Sequence, residues 1–444
     1  MRFYRHLLRS VLLPAYDRIR SRRYMEHSRF LEASQWWQPE RLLEFQWAEL
    51  SKLLRHAFES VPYYQQKYRA AGASFSDIRT WHDFKCLPPL TRQEIQQHLD
   101  GLCSTSYKGR LLPHATGGSS GVPTRFYRTR ESYDWRTAAK DRVYSWAGLR
   151  LGDRSVYLWG APVGAVPKHM IWKTRIHQAF ERQQVFNTFS QTEELWSRIH
   201  QEIIRYHPAA IVGYVSSLLQ FAEFLRRTKR RIPRVKGVLA AAEPLFEDPR
   251  RSIEEALGAP VYNTYGSREF MSLAGECEQR DGLHINSENV VIEAARDRDT
   301  PSNLMVTDLH NFGMPFIRYE IGDLGSIKEG RCACGRGLPR LEAIEGRVLD
   351  TLRTADGRIV PGEFFPHLLK EVPEFTQYRV EQRTLDRIVI SAVMTRELSG
   401  QSRDLLDREI SKVFGRATRC EIQPVKEIPA LRSGKRRITV GMAS

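Results

Sequence analysis

Apolar residues near the start of the chain recur at helical spacing. In Leu42-Leu43-x-Phe45-x-Trp47-x-x-Leu50-x-x-Leu53-Leu54-x-x-Ala57-Phe58 they fall on one side of a helix. Residues 1–60 read as helical, and these aromatics read as core. Val61-Pro62-Tyr63-Tyr64 ends that pattern, because proline has no N–H to donate. A second helix is expected to close near Ala71-Gly72. Leu87-Pro88-Pro89-Leu90 reads as a loop, and Thr91 followed by Glu94 is a capping box that opens another helix.

From 111 to 346 the pattern alternates. Short apolar runs at 155–159, 209–214, 237–242 and 260–265 read as strands. Helical segments at 193–206, 216–229 and 249–257 lie between them. Strand–helix–strand alternation predicts an α/β fold with parallel strands, whose ligands sit outside the strand carboxyl ends. Segments 289–293, 304–309, 316–319 and 325–328 read as a β-rich subdomain. After residue 346 the texture changes to strands at 378–381, 387–392 and 418–422 with helices at 366–371 and 401–414. The fold expected is α/β. A large N-terminal domain has mixed, largely parallel sheets flanked by helices and a β-rich subdomain, and a small mobile α+β domain follows. The boundaries expected are 1–110 (helical region of the large domain), 111–346 (α/β core with the β-rich subdomain) and 347–444 (C-terminal domain).

Composition narrows the function classes. With 41% hydrophobic and 27% charged residues the chain is globular. No apolar run reaches the ~20 residues of a membrane span, and the N-terminus does not read as a secretory signal. Six cysteines in 444 residues do not make a disulfide framework, so a reducing, cytoplasmic compartment is expected. Lys and Arg (68) exceed Asp and Glu (52) by 16, which favours anionic partners. Eight arginines lie in residues 1–30, interleaved with Phe3, Leu7, Leu8, Val11, Leu12 and Leu13. That pattern fits a helix lying on a membrane surface or on a protein partner. The second basic run, 226–231, reads as a solvated helix end.

The stretch Thr116-Gly117-Gly118-Ser119-Ser120-Gly121-Val122-Pro123-Thr124 is rich in free N–H groups and hydroxyls. Taken alone it reads equally as a phosphate-wrapping loop or a flexible linker. It is followed in order by Tyr265-Gly266-Ser267-Arg268-Glu269, Gly322-Asp323, Gly346-Arg347 and Ser433-Gly434-Lys435. This ordered set resembles the adenylate-forming (acyl-CoA synthetase-like) superfamily, and within it the phenylacetate–CoA ligase and CapK-like branch. His56-Ala57-Phe58-Glu59-Ser60-Val61-Pro62-Tyr63-Tyr64 and Cys332-Ala333-Cys334-Gly335-Arg336 resemble further signatures of that branch, and the resemblance runs from about residue 40 to 440.

The resemblance implies an ATP-dependent ligase that activates a carboxylic acid as acyl-AMP, releases pyrophosphate and passes the acyl group on, most often to CoA. Attack of one anion on another calls for charge neutralisation and alignment. By resemblance Thr116, Gly117, Gly118, Ser119, Ser120 and Gly121 hold the terminal phosphates. Glu269 holds Mg²⁺, Tyr265 and Gly266 flank adenine, and Ala242, Glu243 and Pro244 form the opposite wall. Asp323 takes the ribose hydroxyls, Arg347 reaches ribose or phosphate, and Lys435 bridges the carboxylate and the α-phosphate. Trp159, Gly160, Tyr214 and Ser216 fall where the acid pocket is expected, and their aromatics favour an aryl or apolar acid. Three positions depart from the family pattern: Val122 where a lysine is common, Arg268 where Thr or Ser is preferred, and Leu349 at the hinge.

Six residues separate Cys277 from His284 and one separates Cys332 from Cys334, which matches a closed structural Zn²⁺ site; the alternative is free, buried cysteines. Three functions compete. The first is an acid–CoA ligase. The second is an adenylating enzyme that transfers to an amine or hydroxyl in polysaccharide or natural-product assembly. The third is a binding module that kept only the fold and uses its basic surface. Retention of Glu269, Asp323 and Lys435 speaks against the third, and nucleic acid is not an expected partner.

Overall fold

The computed structural model describes residues 2–115, 124–160, 168–189, 192–294, 302–345, 352–360, 362, 364–369, 371–428 and 439–442. They form two compact units. One comprises the described residues of 1–116, 124–146 and 263–346, the other those of 147–262 and 347–444.

The first unit pairs helices with an antiparallel sheet. The predicted amphipathic segment is the helix Pro39–Ser60, which buries Leu42, Leu50, Leu53, Leu54 and Ala57. A break at Val61 places Pro62 at the start of the next helix, Pro62–Ala70, where its missing N–H costs nothing. The Thr91–Glu94 box forms as expected: each side chain accepts from the other's backbone N–H, at 3.2 Å and 2.7 Å. The β-rich segment pairs in the order Val290–Glu293, Ser302–Asp308, Tyr319–Lys328, Arg340–Glu345, Leu283–Ile285, Ala274–Glu276, antiparallel throughout. The expected strands at 316–319 and 325–328 are one continuous strand, Tyr319–Lys328. Phe316 and Ile317 stay outside it because Arg318 has φ 52°, which extended pairing does not tolerate. A hairpin of Leu112–Ala115 and Arg125–Arg128 was not foreseen; it brackets the Gly/Ser stretch, with Ala115 opposite Arg125.

In the second unit four parallel strands run in the order Gln183–Asn187, Ser155–Trp159, Ala210–Tyr214, Gly237–Ala241. Ala210–Tyr214 and Gly237–Ala241 are buried at every position, which is why both read as unbroken apolar runs. The helix Glu193–Tyr206 covers them with Leu195, Trp196, Ile199, His200 and Ile203, a single stripe capped by Thr192. Beyond 352 the strands Phe375–Thr384 and Arg387–Met394 form an antiparallel pair, flanked by Arg419–Pro424 and Thr439–Val440 in parallel. The helix Gly400–Phe414 closes that layer. Among the described residues no helix is long and apolar enough to cross a membrane.

The first unit keeps charge in its core. Arg142 donates to both oxygens of Glu288, at 2.6 Å and 2.8 Å, and also to Leu31 O and Asn286 Oδ1, while Ser34 Oγ donates to Glu288 at 2.5 Å. Neither partner's side chain is more than 2% exposed. A buried pair of this kind gains little over an apolar replacement, but breaking it strands a charge. Arg142→Met is therefore expected to cost about 3–5 kcal/mol in chemical denaturation, and Arg142→Met with Glu288→Leu to recover most of it. A single variant with the wild-type midpoint would contradict this.

Candidate functional site

Of the predicted site residues, Tyr265, Gly266, Glu269 and Asp323 lie in the first unit. Tyr265 ends its strand, and its hydroxyl donates to Asp323 Oδ2 at 2.8 Å. The chain then turns sharply. A Cβ on Gly266 would lie 1.9 Å from Met271 O, so only glycine fits there. Met271 sits at φ 68°, and its N–H donates to Ser267 O at 2.7 Å. This turn delivers Glu269, which is 4% exposed, to the interior. Tyr319 Oη lies 3.5 Å from Glu269 Oε1, and Arg92 Nη2 lies 3.7 Å from the same oxygen. Burial works against the charge of Arg92, but Tyr319, Glu269 and Asp323 more than offset it, and its basicity is raised.

Arg92 was not foreseen. It stands inside the Thr91–Glu94 capping box, which signals only where a helix begins. Its role depends on where that helix ends up, and one sequence does not carry that. His114, on the strand Leu112–Ala115, was likewise missed. Burial pushes its basicity down to about 4, with Arg128, Arg268 and Arg136 acting in the same direction and Glu269 against.

In the second unit, Ala242 leaves its strand at φ 66°, a strained conformation for a residue with a side chain. It delivers Glu243, which accepts from Ser216 N at 2.6 Å and Ser216 Oγ at 2.9 Å. Burial raises the Glu243 pKa, and these two bonds oppose that shift. Both polar groups of Ser216 are thus engaged by Glu243. Pro244 follows, half-buried. Trp159 and Tyr214 stack at 4.4 Å. Gly160 is covered by Phe189, whose Cζ would lie 2.1 Å from a Cβ at that position. Phe189 in turn packs against Phe364 and His367 at 5.6 Å and 5.4 Å.

Thr116, Gly117, Gly118, Ser119, Ser120, Gly121, Val122, Arg347, Leu349 and Lys435 lie outside the described residues.

Cys277, His284, Cys332 and Cys334 come together in the first unit, with their ligand atoms within 4.8 Å of one another. Cys277 Sγ is 3.7 Å from Cys332 Sγ, and Cys334 Sγ is 3.3 Å from His284 Nε2. His284 Nδ1 lies 3.2 Å from Leu338 O, which presets Nε2 as the free donor. Burial holds His284 near 4, so its imidazole is neutral at pH 7 and able to ligate. Burial also pushes the Cys277 thiol up to about 12 when no cation compensates it. Three sulfurs and one nitrogen fit a tetrahedral divalent ion. Around them, Arg336 donates to Gln35 Oε1 at 3.0 Å and to Glu278, and its guanidinium lies over Trp36 and Trp146.

Residues 352–441 match the family model of the CapK C-terminal domain. The chain is 25% identical over 439 residues to a phenylacetate-coenzyme A ligase of Thermus thermophilus, covering 90% of this chain and 96% of that one. It is 26% identical over 362 residues to the phenylacetate-coenzyme A ligase of Escherichia coli K12, covering 77% and 79%. Among solved structures, 2-hydroxyisobutyryl-CoA ligase in complex with 2-HIB-AMP and CoA aligns with a TM-score of 0.59 at 22% identity, over 90% of each chain. That likeness is one of fold.

Proposed function

Taking the chain as a member of the adenylate-forming superfamily, in its phenylacetate–CoA ligase and CapK-like branch, we propose that it activates a carboxylic acid with ATP and transfers the acyl group to CoA. A carboxylate oxygen attacks the α-phosphorus, acyl-AMP forms and pyrophosphate leaves. The CoA thiol, giving up its proton, then attacks the acyl carbon and AMP leaves. The observation that carries this reading is the meeting of Tyr265, Asp323, Glu269 and Arg92, drawn from segments far apart in the chain. A carboxylate oriented by a tyrosine hydroxyl suits a ribose diol. A buried carboxylate beside an arginine suits a phosphate-bound cation.

In this reading Glu269 would hold Mg²⁺, which supplies charge neutralisation on the phosphates. Thr116, Gly117, Gly118, Ser119, Ser120 and Gly121 cradle those phosphates, and Arg347 reaches the ribose or α-phosphate. Tyr265 and Gly266 are assigned to adenine, and so, by the same resemblance, are Ala242, Glu243 and Pro244. Trp159, Gly160, Tyr214 and Ser216 line the acid side. Lys435 draws the carboxylate and the α-phosphate together as charge builds. The match of 352–441 to the CapK C-terminal domain favours one second reading, transfer to an amine or hydroxyl in place of CoA.

Zn²⁺ held by Cys277, His284, Cys332 and Cys334 would be structural, since four protein donors leave no open position. The setting is a reducing cytoplasm. A peripheral contact of the N-terminal helices with a membrane or protein surface is supported by Phe3 (80% exposed), Val11 (54%) and Ile19 (79%), beside the exposed Arg18 and Arg20.

Purified protein given ATP, Mg²⁺ and a panel of acids is expected to release pyrophosphate only with its acid, and to form a thioester when CoA is added. Silence across the panel would overturn adenylation, and acyl-AMP that accumulates despite CoA would select the second reading. Lys435→Ala is expected to lower pyrophosphate release at least about 100-fold with ATP binding retained, and unchanged turnover would remove Lys435 from the mechanism. Elemental analysis is expected to find one zinc per chain in the wild type and none in Cys277→Ser/Cys332→Ser; a metal-free wild type refutes the site.

A further inference from the structure

The first helical segment of the chain fastens one side to the body and leaves the other uncovered. It runs as an α-helix, Arg2–Leu7, a π-helical turn, Leu8–Leu12, and a second α-helix, Leu13–Arg20. Leu8, Leu13 and Asp17 are buried. Asp17 Oδ2 accepts from Met25 N at 2.8 Å, and Arg9 donates to Glu32 at 2.9 Å. Arg22, just beyond the segment, is paired with Asp134. These ties fix which side faces outward.

The outward side carries Phe3, Leu7, Val11, Ala15 and Ile19, each four residues from the last. Leu7 is half-buried and the other four are exposed. In a continuous α-helix four residues overshoot one turn by about 40°, so a row of this length would wind round the helix. The π turn takes more residues per turn and removes part of that drift. It also accounts for the step of five from Leu8 to Leu13 on the inner side. The row therefore stays on one side over about 24 Å.

Charge decides what covers it. Residues 1–23 hold seven arginines and one carboxylate, Asp17, which is buried. Arg18 and Arg20 are exposed and flank Ile19 in the chain. Arg130, also exposed, donates to Arg20 O at 2.8 Å and so brings its guanidinium to the same end. A row one residue wide is too narrow for the about 800 Å² that each partner contributes to a stable protein interface. It suits a surface that takes an apolar edge in any register and offers anionic groups beside it, as the boundary between headgroups and acyl chains does.

We propose that the segment Arg2–Arg20 lies in the surface of an anionic lipid bilayer, with Phe3, Leu7, Val11, Ala15 and Ile19 among the acyl chains and Arg18, Arg20 and Arg130 on the lipid phosphates. A guanidinium donates two parallel bonds to a phosphate, which holds the helix at headgroup depth. The inference rests on the reading of the N-terminal helices as a contact surface, and it chooses lipid over protein.

The full chain is floated with vesicles of phosphatidylcholine, and with vesicles of equal parts phosphatidylcholine and phosphatidylglycerol. Binding to the anionic vesicles is expected to be at least about 10-fold tighter than to phosphatidylcholine alone, and to weaken as salt is added. Phe3→Ser/Val11→Ser/Ile19→Ser is expected to lower it about 10- to 100-fold. Arg18→Gln/Arg20→Gln is expected to lower it about 10- to 30-fold. The substituted side chains are exposed, so both variants are expected to keep the wild-type denaturation midpoint. Unchanged binding in the apolar variant overturns insertion of the row, and equal binding to both vesicles overturns the part given to the arginines. A wild type that leaves vesicles unbound overturns the lipid proposal. If that wild type self-associates in ultracentrifugation and the apolar variant does not, the contact surface stands with protein as its occupant; if neither does, that reading falls too.

Discussion

A charge buried without a partner is not tolerated, and the first unit is arranged around meeting that demand. Arg142 and Glu288 neutralise each other, and three more groups from distant places bond to the pair, while Arg142 Nε has no hydrogen-bond partner. Leu31 and Ser34 belong to the helix Tyr24–Ser34, while Asn286 belongs to a turn between strands. Asn286 then donates to Ser272 O at 3.1 Å, and its N–H to Leu273 O at 2.9 Å. Ser272 and Leu273 close the turn that carries Glu269. The helix Tyr24–Ser34 is thereby connected, through one hydrogen-bonded network, to the turn that carries Glu269. A site that must hold a reactive geometry gains from support of this kind.

The helix Arg130–Trp146 is the common support of three features. Arg136 pairs with Asp308, Arg142 completes the buried pair with Glu288, and Trp146 packs beside Arg336 and His284 at the sulfur cluster. Its buried side mixes Trp135, Ala138, Ala139, Val143 and Trp146 with Asp134, Arg136 and Arg142, so charge interrupts the apolar stripe.

What was legible in the residues follows from this. Strands with unbroken apolar runs, such as 210–214 and 237–241, could be read directly because burial on both faces leaves one kind of residue. Motif order singles out Tyr265, Glu269 and Asp323, and the fold brings the Tyr265 hydroxyl against Asp323. Cys277, His284, Cys332 and Cys334 could be read from spacing alone, since sulfur and imidazole pairs on two loops have few other uses. The strand Gln183–Asn187 escaped, because it is an edge strand with polar residues at both ends. The break before Tyr319 escaped because nothing in Arg318 declares a positive φ. The contact of Arg92 with Glu269 escaped for another reason. In a chain with 68 basic residues an individual arginine carries no signal until its surroundings are known.

Gly160 shows how much a missing side chain can transmit. The Phe189 ring occupies the space where a Cβ would stand, and the same ring supports Phe364 and His367 in the CapK-like segment. The seating of that segment is therefore gauged, ring edge against backbone, by the end of one parallel strand. Position 160 behaves as a shim of zero thickness. A single methyl group added there would press on Phe189 and through it on residues two hundred positions downstream, so drift at 160 and drift at 364 or 367 cannot proceed independently.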